Sequence, residues 1–173
     1  MAENNSDGNV TEVIDFRKLD LGCGKWRKHG YLGIDIFEAG EYQQVIEADK
    51  QWVLPWDLNK GIPFPDNTID DIYISHFIEH VISPEFLLYE IHRVCRHGAH
   101  VEIYVPLHEM MSKGHLTEFD EYWFERVFLK SFPGQYSIVS KSKRVRDNIP
   151  LMTPDGIVMR NFEELNIIFK TVK

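Results

Sequence analysis

Residues 18–35 read KLDLGCGKWRKHGYLGID, and the fold turns on this stretch. Residues 17–21 form a short run that leads into Gly22-Cys23-Gly24, the pattern of a strand entering a tight turn. Glycines at such a turn let the backbone reverse sharply and approach another group closely. A second β-forming run, 31–36, follows after a few residues and carries Asp35 near its end. An acidic residue in that place can accept from both hydroxyls of a ribose. Taken alone, the motif is equally compatible with a structural turn and with a ligand-binding one.

Working outward, residues 51–55 read as a strand ending in Trp56-Asp57-Leu58, while 45–48 is compatible with either a short helix or a strand. Two prolines and a glycine make 61–67 a loop, and the β-formers of 69–75 make a strand. Ser83 as cap and Pro84 in the first turn open a helix. Its apolar face holds Phe86, Leu87, Tyr89, Ile91, Val94 and Cys95, and Gly98 is its expected stop. Val101, Ile103 and Val105 alternate with Glu102 and Tyr104 in a strand that Pro106 ends. Residues 108–115 read as a loop, and 117–130 as a helix with Phe119, Tyr122, Trp123, Val127 and Phe128 inward. Two last strands, 136–140 and 165–172, flank a polar loop.

This order predicts an α/β protein: a single Rossmann-like domain over 16–173, its sheet mostly parallel with an antiparallel edge strand, after a disordered tail at 1–15. A crossover between parallel strands takes about 10–12 residues or more. The segment after Gly24 is shorter, so the first crossover helix is expected to be shortened or absent.

A chain of 173 residues, 43% hydrophobic and 27% charged, suits one domain with a sizeable core. The net charge of −8 argues against general nucleic-acid binding. Two local basic patches remain: Lys25, Arg27, Lys28 and His29, and the later Lys141, Lys143, Arg144 and Arg146, the second reading as solvated surface charge. No apolar run approaches the ~20 residues of a membrane helix, and the opening MAENNSDGNV lacks the layout of a secretory signal. Cys23 and Cys95 lack metal or disulfide spacing and read as small buried side chains in a cytoplasmic protein.

The later motifs come in a telling order: Asp57, the IPFPDN loop at 62–67, Asp70-Asp71, then Ser75-His76-Phe77-Ile78-Glu79-His80. With LDLGCG, GIDI, WDL, IPFPDNTIDDIYISHFIEHV and IHRVCRHGAHVEIYVP, the chain resembles class I S-adenosylmethionine-dependent methyltransferases. It is most similar to the small Methyltransferase-11-like branch, with its PFPDNS-type loops and HxxEH stretch, over residues 18–106. The resemblance implies S-adenosyl-L-methionine as cofactor and in-line displacement of its methyl group onto an acceptor the sequence does not name. The default acceptor is a small molecule or sugar-like group.

The resemblance also implies roles. Asp20, Gly22, Cys23 and Gly24 line the methionine end of the cofactor, and Asp35 with Ile36 holds the ribose. Asp57 with the Leu58 backbone faces the adenine amino edge, while Ser75 and His76 close the pocket beyond the fourth strand. If the acceptor must lose a proton, His76 or His115 is the expected base. The short first crossover leaves the methionine end to be covered by Trp26, a partner subunit or a second copy.

Two further readings compete. His76, Glu79 and His80 match the inverted zinc-protease pattern, with a further ligand among Glu90, His92 and His108. It requires one helical face, but the stretch follows directly from a strand, so no metal ligand is expected. The other is a methyltransferase-fold binding module without turnover. A nicotinamide-binding protein is disfavoured, because GCG lacks the third glycine of GxGxxG. His108, His115, Glu118, Asp120 and Trp123 follow the fifth strand, where acceptor-facing elements belong, although Trp123 and Phe119 read as packing against the sheet.

Overall fold

Leu19, Leu21, Ile34, Ile72, Ile74, Val101 and Ile103 have no exposed surface, and they lie on four strands bonded side by side. The computed structural model describes residues 13–36, 52–108, 114–153 and 156–173. Its seven strands are β1 (Asp15–Leu21), β2 (Tyr31–Asp35), β3 (Val53–Pro55), β4 (Ile69–Ser75), β5 (Cys95–Pro106), β6 (Tyr136–Thr153) and β7 (Gly156–Thr171). They form one sheet in the order β3-β2-β1-β4-β5-β7-β6. The first five are parallel, and β7 runs antiparallel to both β5 and β6. The predicted α/β sheet with its antiparallel edge is thus present.

Strand order reverses between β1 and β4, which opens a crevice at the strands' carboxyl ends. Leu21 is level with both Ile34 and Ile74, so β1, β2 and β4 deliver their ends to the same place. Residues 22–30 join β1 to β2 without a helix, as expected from their length. Turn bonds close the connection instead: Trp26 N to Cys23 O at 3.1 Å and Tyr31 N to Lys28 O at 3.2 Å.

Ser83 Oγ accepts from Phe86 N at 3.1 Å and caps helix α1 (Pro84–Val94), a contact of about 1 kcal/mol. Gly98 is not the helix stop. The Asn67 and Thr68 amides satisfy the Arg93 and Val94 carbonyls, so the chain passes directly from α1 into β5 at Cys95. Gly98 instead falls where the β4–β5 register shifts.

The region after β5 departs further from expectation. Phe119 bridges Leu107, and the helix over 117–130 shrinks to a π-helical stretch Phe124–Phe128 running into α2 (Leu129–Ser131). The Asp120 carboxylate takes the Tyr122 amide at 2.8 Å and holds the preceding turn. Tyr122 is consequently 57% exposed, and the core position belongs to Phe124, with no exposed surface. Phe124 packs against Phe119, Trp123, Phe128 and Phe169. The polar loop expected after 140 is likewise a hairpin, paired from Tyr136↔Thr171 to Thr153↔Gly156. Its period-2 signal is hidden because charge alternates with charge, as where Arg144 stands opposite Glu164.

Ordered structure starts before residue 16, since Ile14 is buried in the core and β1 begins at Asp15. Residues 1–12 and 45–48 lie outside the described residues. Among the described residues no helix is long and apolar enough to cross a membrane. Phe124→Ala removes the centre of the aromatic cluster and is expected to cost about 3–5 kcal/mol; urea unfolding measures it, and a loss below about 1 kcal/mol would contradict the packing described.

Candidate functional site

Two acids organise the crevice, Asp20 buried and Asp35 partly buried. Asp35 Oδ2, at the end of β2, accepts from Gly24 N at 2.6 Å. Asp20 Oδ2, one residue before the end of β1, accepts from Lys28 N at 2.6 Å. Both carboxylates therefore hold amides of the 22–30 connection. Asp20 is only 3% exposed, and burial pushes its carboxyl up to about 6 against the pull of the Lys28 amide and charge.

Around these acids lie two cavities. The larger, about 640 Å³, is lined by Gly22, Gly24, Asp35, Ile36, Trp56, Asp57, Leu58, Asn59, His76, Phe77, His80, Val81 and Gly114. The smaller, about 210 Å³, is lined by Asp20, Gly22, Cys23, Trp26, Tyr73 and Ser75. Gly22 belongs to both, and the Phe77 ring lies against it: a Cβ on Gly22 would fall 1.9 Å from Phe77 Cγ. With φ at 69°, Gly22 also adopts a backbone that only glycine enters freely.

Every residue expected to touch the cofactor lines one of these cavities: Gly22, Gly24, Asp35, Ile36, Asp57, Leu58 and His76 the larger, Asp20, Gly22, Cys23 and Ser75 the smaller. Sequence reading missed Trp56, Asn59, Phe77 and Tyr73, whose only signal was their place beside strand ends. Asp57 caps the turn Leu58–Lys60, its Oδ1 taking the Asn59 amide at 3.0 Å. Burial raises the Cys23 thiol's pKa far above its ordinary range.

The IPFPDN loop does not line either cavity. Arg93 of α1 clamps Glu90 with two 2.7 Å bonds and donates to the carbonyls of Ile62 and Phe64, and Glu90 takes the Ile62 amide at 2.9 Å. This loop is a brace between α1 and the turn that presents Asp57 and Leu58.

The HFIEH stretch leaves β4 in a strained conformation, with His76 at φ 52°. His76 Nε2 is 2.6 Å from Glu164 Oε2 on β7, a partner that no local motif announced, and Glu164 also takes a bond from Arg144. His76 Nδ1 stands 3.7 Å from Glu79 Oε1. Residues Ile78–His80 form a single 3-10 turn, so His76 and His80 do not share the helical face that the zinc-protease pattern needs. His115 lies beside His80, ring centres 4.8 Å apart, and lines neither cavity. Glu79 is 1% exposed, and burial pushes its carboxyl to about 7.

The basic patches are knitted into the surface. Lys28 Nζ sits 3.9 Å over the Tyr73 ring and 3.2 Å from Glu102. Lys141 pairs with Glu125, Lys143 with Glu163, and Arg144 with Glu164. Phe119 and Trp123 pack in the core, as expected.

Residues 19–103 match the family model described as a methyltransferase domain. Similar solved structures include the YcgJ protein of Bacillus subtilis (11% identity, 93% of this chain and 94% of that one, TM-score 0.67). A SAM-dependent methyltransferase of Methanosarcina mazei is similar too (17% identity, 94% of each chain, TM-score 0.62). So is the [4+2]-cyclase SpnF (13% identity, 92% of this chain and 76% of that one, TM-score 0.64). At these identities the likeness is one of fold. Among curated proteins none matches this chain.

The Asp20 carboxyl carries a measurable pH signature. Its folded pKa of about 6 lies above the ordinary aspartate value of 3.8, so the folded state holds the proton more tightly. Stability contributed by this group is complete below about pH 4 and lost as pH rises through 6. Asp20→Asn is expected to match the wild type near pH 4 and to exceed it at pH 7.5 by on the order of 2 kcal/mol. Urea unfolding at the two pH values checks this; equal stability at pH 7.5 would remove the buried-charge account.

Proposed function

Because the chain belongs to the class I S-adenosylmethionine-dependent methyltransferases, we propose that it transfers the methyl group of that cofactor to a small-molecule or sugar-like acceptor. One observation carries the reading: two cavities sharing Gly22, at the carboxyl ends of β1, β2 and β4, with Asp20 on the wall of one and Asp35 on the wall of the other. An elongated ligand with a cationic amino-acid end and a ribose at its middle suits that pair of acids. Asp20, Gly22, Cys23, Gly24 and Ser75 hold the methionine end, where the Asp20 charge, unfavourable in a dry site, meets an ammonium group. Asp35 and Ile36 hold the ribose, and Asp57 with Leu58 the adenine. Trp26, 73% exposed at the smaller cavity, is the side chain placed to cover that end, alone or with a partner subunit.

Bound there, the cofactor supplies a methyl group on a positively charged sulfur. The protein's own task is then alignment and exclusion of water. His76 is the base for an acceptor that must lose a proton: Glu164 takes its Nε2–H and leaves Nδ1 to accept. The buried free thiols of Cys23 and Cys95 suit a reducing setting, the cytoplasm.

The Phe77 ring favours a second reading, a methyltransferase fold that binds without turnover, because it stands in the wall of the larger cavity against Gly22, the residue the two cavities share. Calorimetry with S-adenosylhomocysteine separates these readings. Wild type is expected to bind, and Asp35→Ala to bind at least about tenfold more weakly. Asp35→Asn, which can still accept from Gly24 N, controls for collapse of the turn. Affinity unchanged in both variants would sink the ribose assignment, and binding that appears only in Phe77→Ala would favour the second reading.

A further inference from the structure

We propose that Glu79, His80 and His115 form a binding site for a zinc-type divalent cation beside the larger cavity. One ligand atom from each residue lies within 4.8 Å of the other two. The set differs from the zinc-protease pattern, since His76 is turned to Glu164 and His115 comes from a separate segment.

The independent observation is the state of Glu79. Its side chain is 1% exposed, and neither carboxylate oxygen takes a hydrogen bond from another described residue. Burying an unsatisfied carboxylate is costly, and such groups persist where they meet a charge or a metal. Two imidazoles stand in the same cluster, and that donor set suits Zn²⁺ and its first-row neighbours.

The surrounding backbone holds the set in place. Leu116 N and Thr117 N donate to the Glu79 carbonyl at 2.7 and 3.2 Å, tying the segment that carries His115 to the turn that carries Glu79 and His80. His80 Nδ1 meets the Gly114 carbonyl at 2.9 Å. A carbonyl only accepts, so Nδ1 bears the proton and Nε2 keeps its lone pair, the arrangement that orients a ligating histidine. Gly114 permits this approach: its φ is 86°, and an added Cβ would stand 3.3 Å from His80 Nδ1.

Three protein ligands leave a coordination position open. His80 and Gly114 also line the larger cavity, whose Asp35 and Asp57 are assigned to the cofactor, so an acceptor held at that position would lie beside the cofactor. A hydroxyl bound to a divalent cation loses its proton to solvent more readily. The acceptor class is accordingly an alcohol oxygen; this last step rests on the methyltransferase reading, whereas the metal site does not.

Co²⁺ titration of the full chain, followed by ligand-field absorption, is the test. One equivalent is expected to bind to wild type, with affinity reduced at least about tenfold in Glu79→Gln and in His115→Ala, and unchanged in His97→Ala at the surface. Thermal melts identify any variant that does not fold, and the remaining one then carries the comparison. Absence of a single-equivalent site, or wild-type affinity in both ligand variants, overturns the proposal. S-adenosylhomocysteine calorimetry on the same proteins separates the two readings. Cobalt binding without cofactor binding supports the metal site and overturns the acceptor role; cofactor binding without cobalt binding overturns the metal site alone.

Discussion

The bonds from Asp20 to the Lys28 amide and from Asp35 to the Gly24 amide, each 2.6 Å, hold the 22–30 connection against the ends of β1 and β2. A crossover helix ordinarily does this work, burying an apolar stripe on the sheet. Here two carboxylates replace it, and they are the same acids that line the cavities. The floor of the site and the scaffold beneath it are therefore one set of interactions. That coupling explains why an ionisable group sits at Asp20 although burial alone disfavours its charge.

A second constraint acts from the other side of the switch point. His76 leaves β4 in the left-handed region and is held there by Glu164 of β7, which Arg144 of β6 supports in turn. The β6–β7 hairpin, far from β4 in sequence, thus fixes one imidazole at the cavity wall. Backbone strain of this kind survives where neighbours over-determine it. The adjoining turn carries Glu79 and His80, and the Leu116 and Thr117 amides bind it to the segment after β5. Elements on both sides of the cavity are consequently locked, while the Phe77 ring at Gly22 remains a partly buried side chain on the wall of the larger cavity.

The α1 brace shows how a family-like motif can be structural. Glu90 and Arg93 satisfy one another and the backbone of the IPFPDN loop, and they thereby set the position of the Leu58–Lys60 turn. The loop stays outside both cavities, yet Asp57 and Leu58 depend on it. At the far edge, β6 and β7 pair along polar arms, and their inner ends close the aromatic cluster around Phe124 and Phe169.

Much of this was legible in the chain alone. The strands β1, β2 and β4, the cap at Ser83, the helix-free first connection and the acid Asp35 follow from local rules (apolar runs, glycine turns and capping chemistry), while Asp20 and Asp57 came from the family resemblance. Those signals span a few residues and do not need a partner. What required the tertiary structure depends on contacts between distant segments. Glu164 beside His76, His115 beside His80 and the pairing of 136–153 with 156–171 leave no local trace, because a charged residue on a strand reads the same whether its partner is water or an imidazole. Phe124 replaced Tyr122 in the core because the Asp120 cap set where the turn begins. The sequence by itself determined the strand-and-turn frame and the acids at its ends; only the folded chain decided which histidine meets which carboxylate, since that is a matter of distance in space rather than of spacing along the chain.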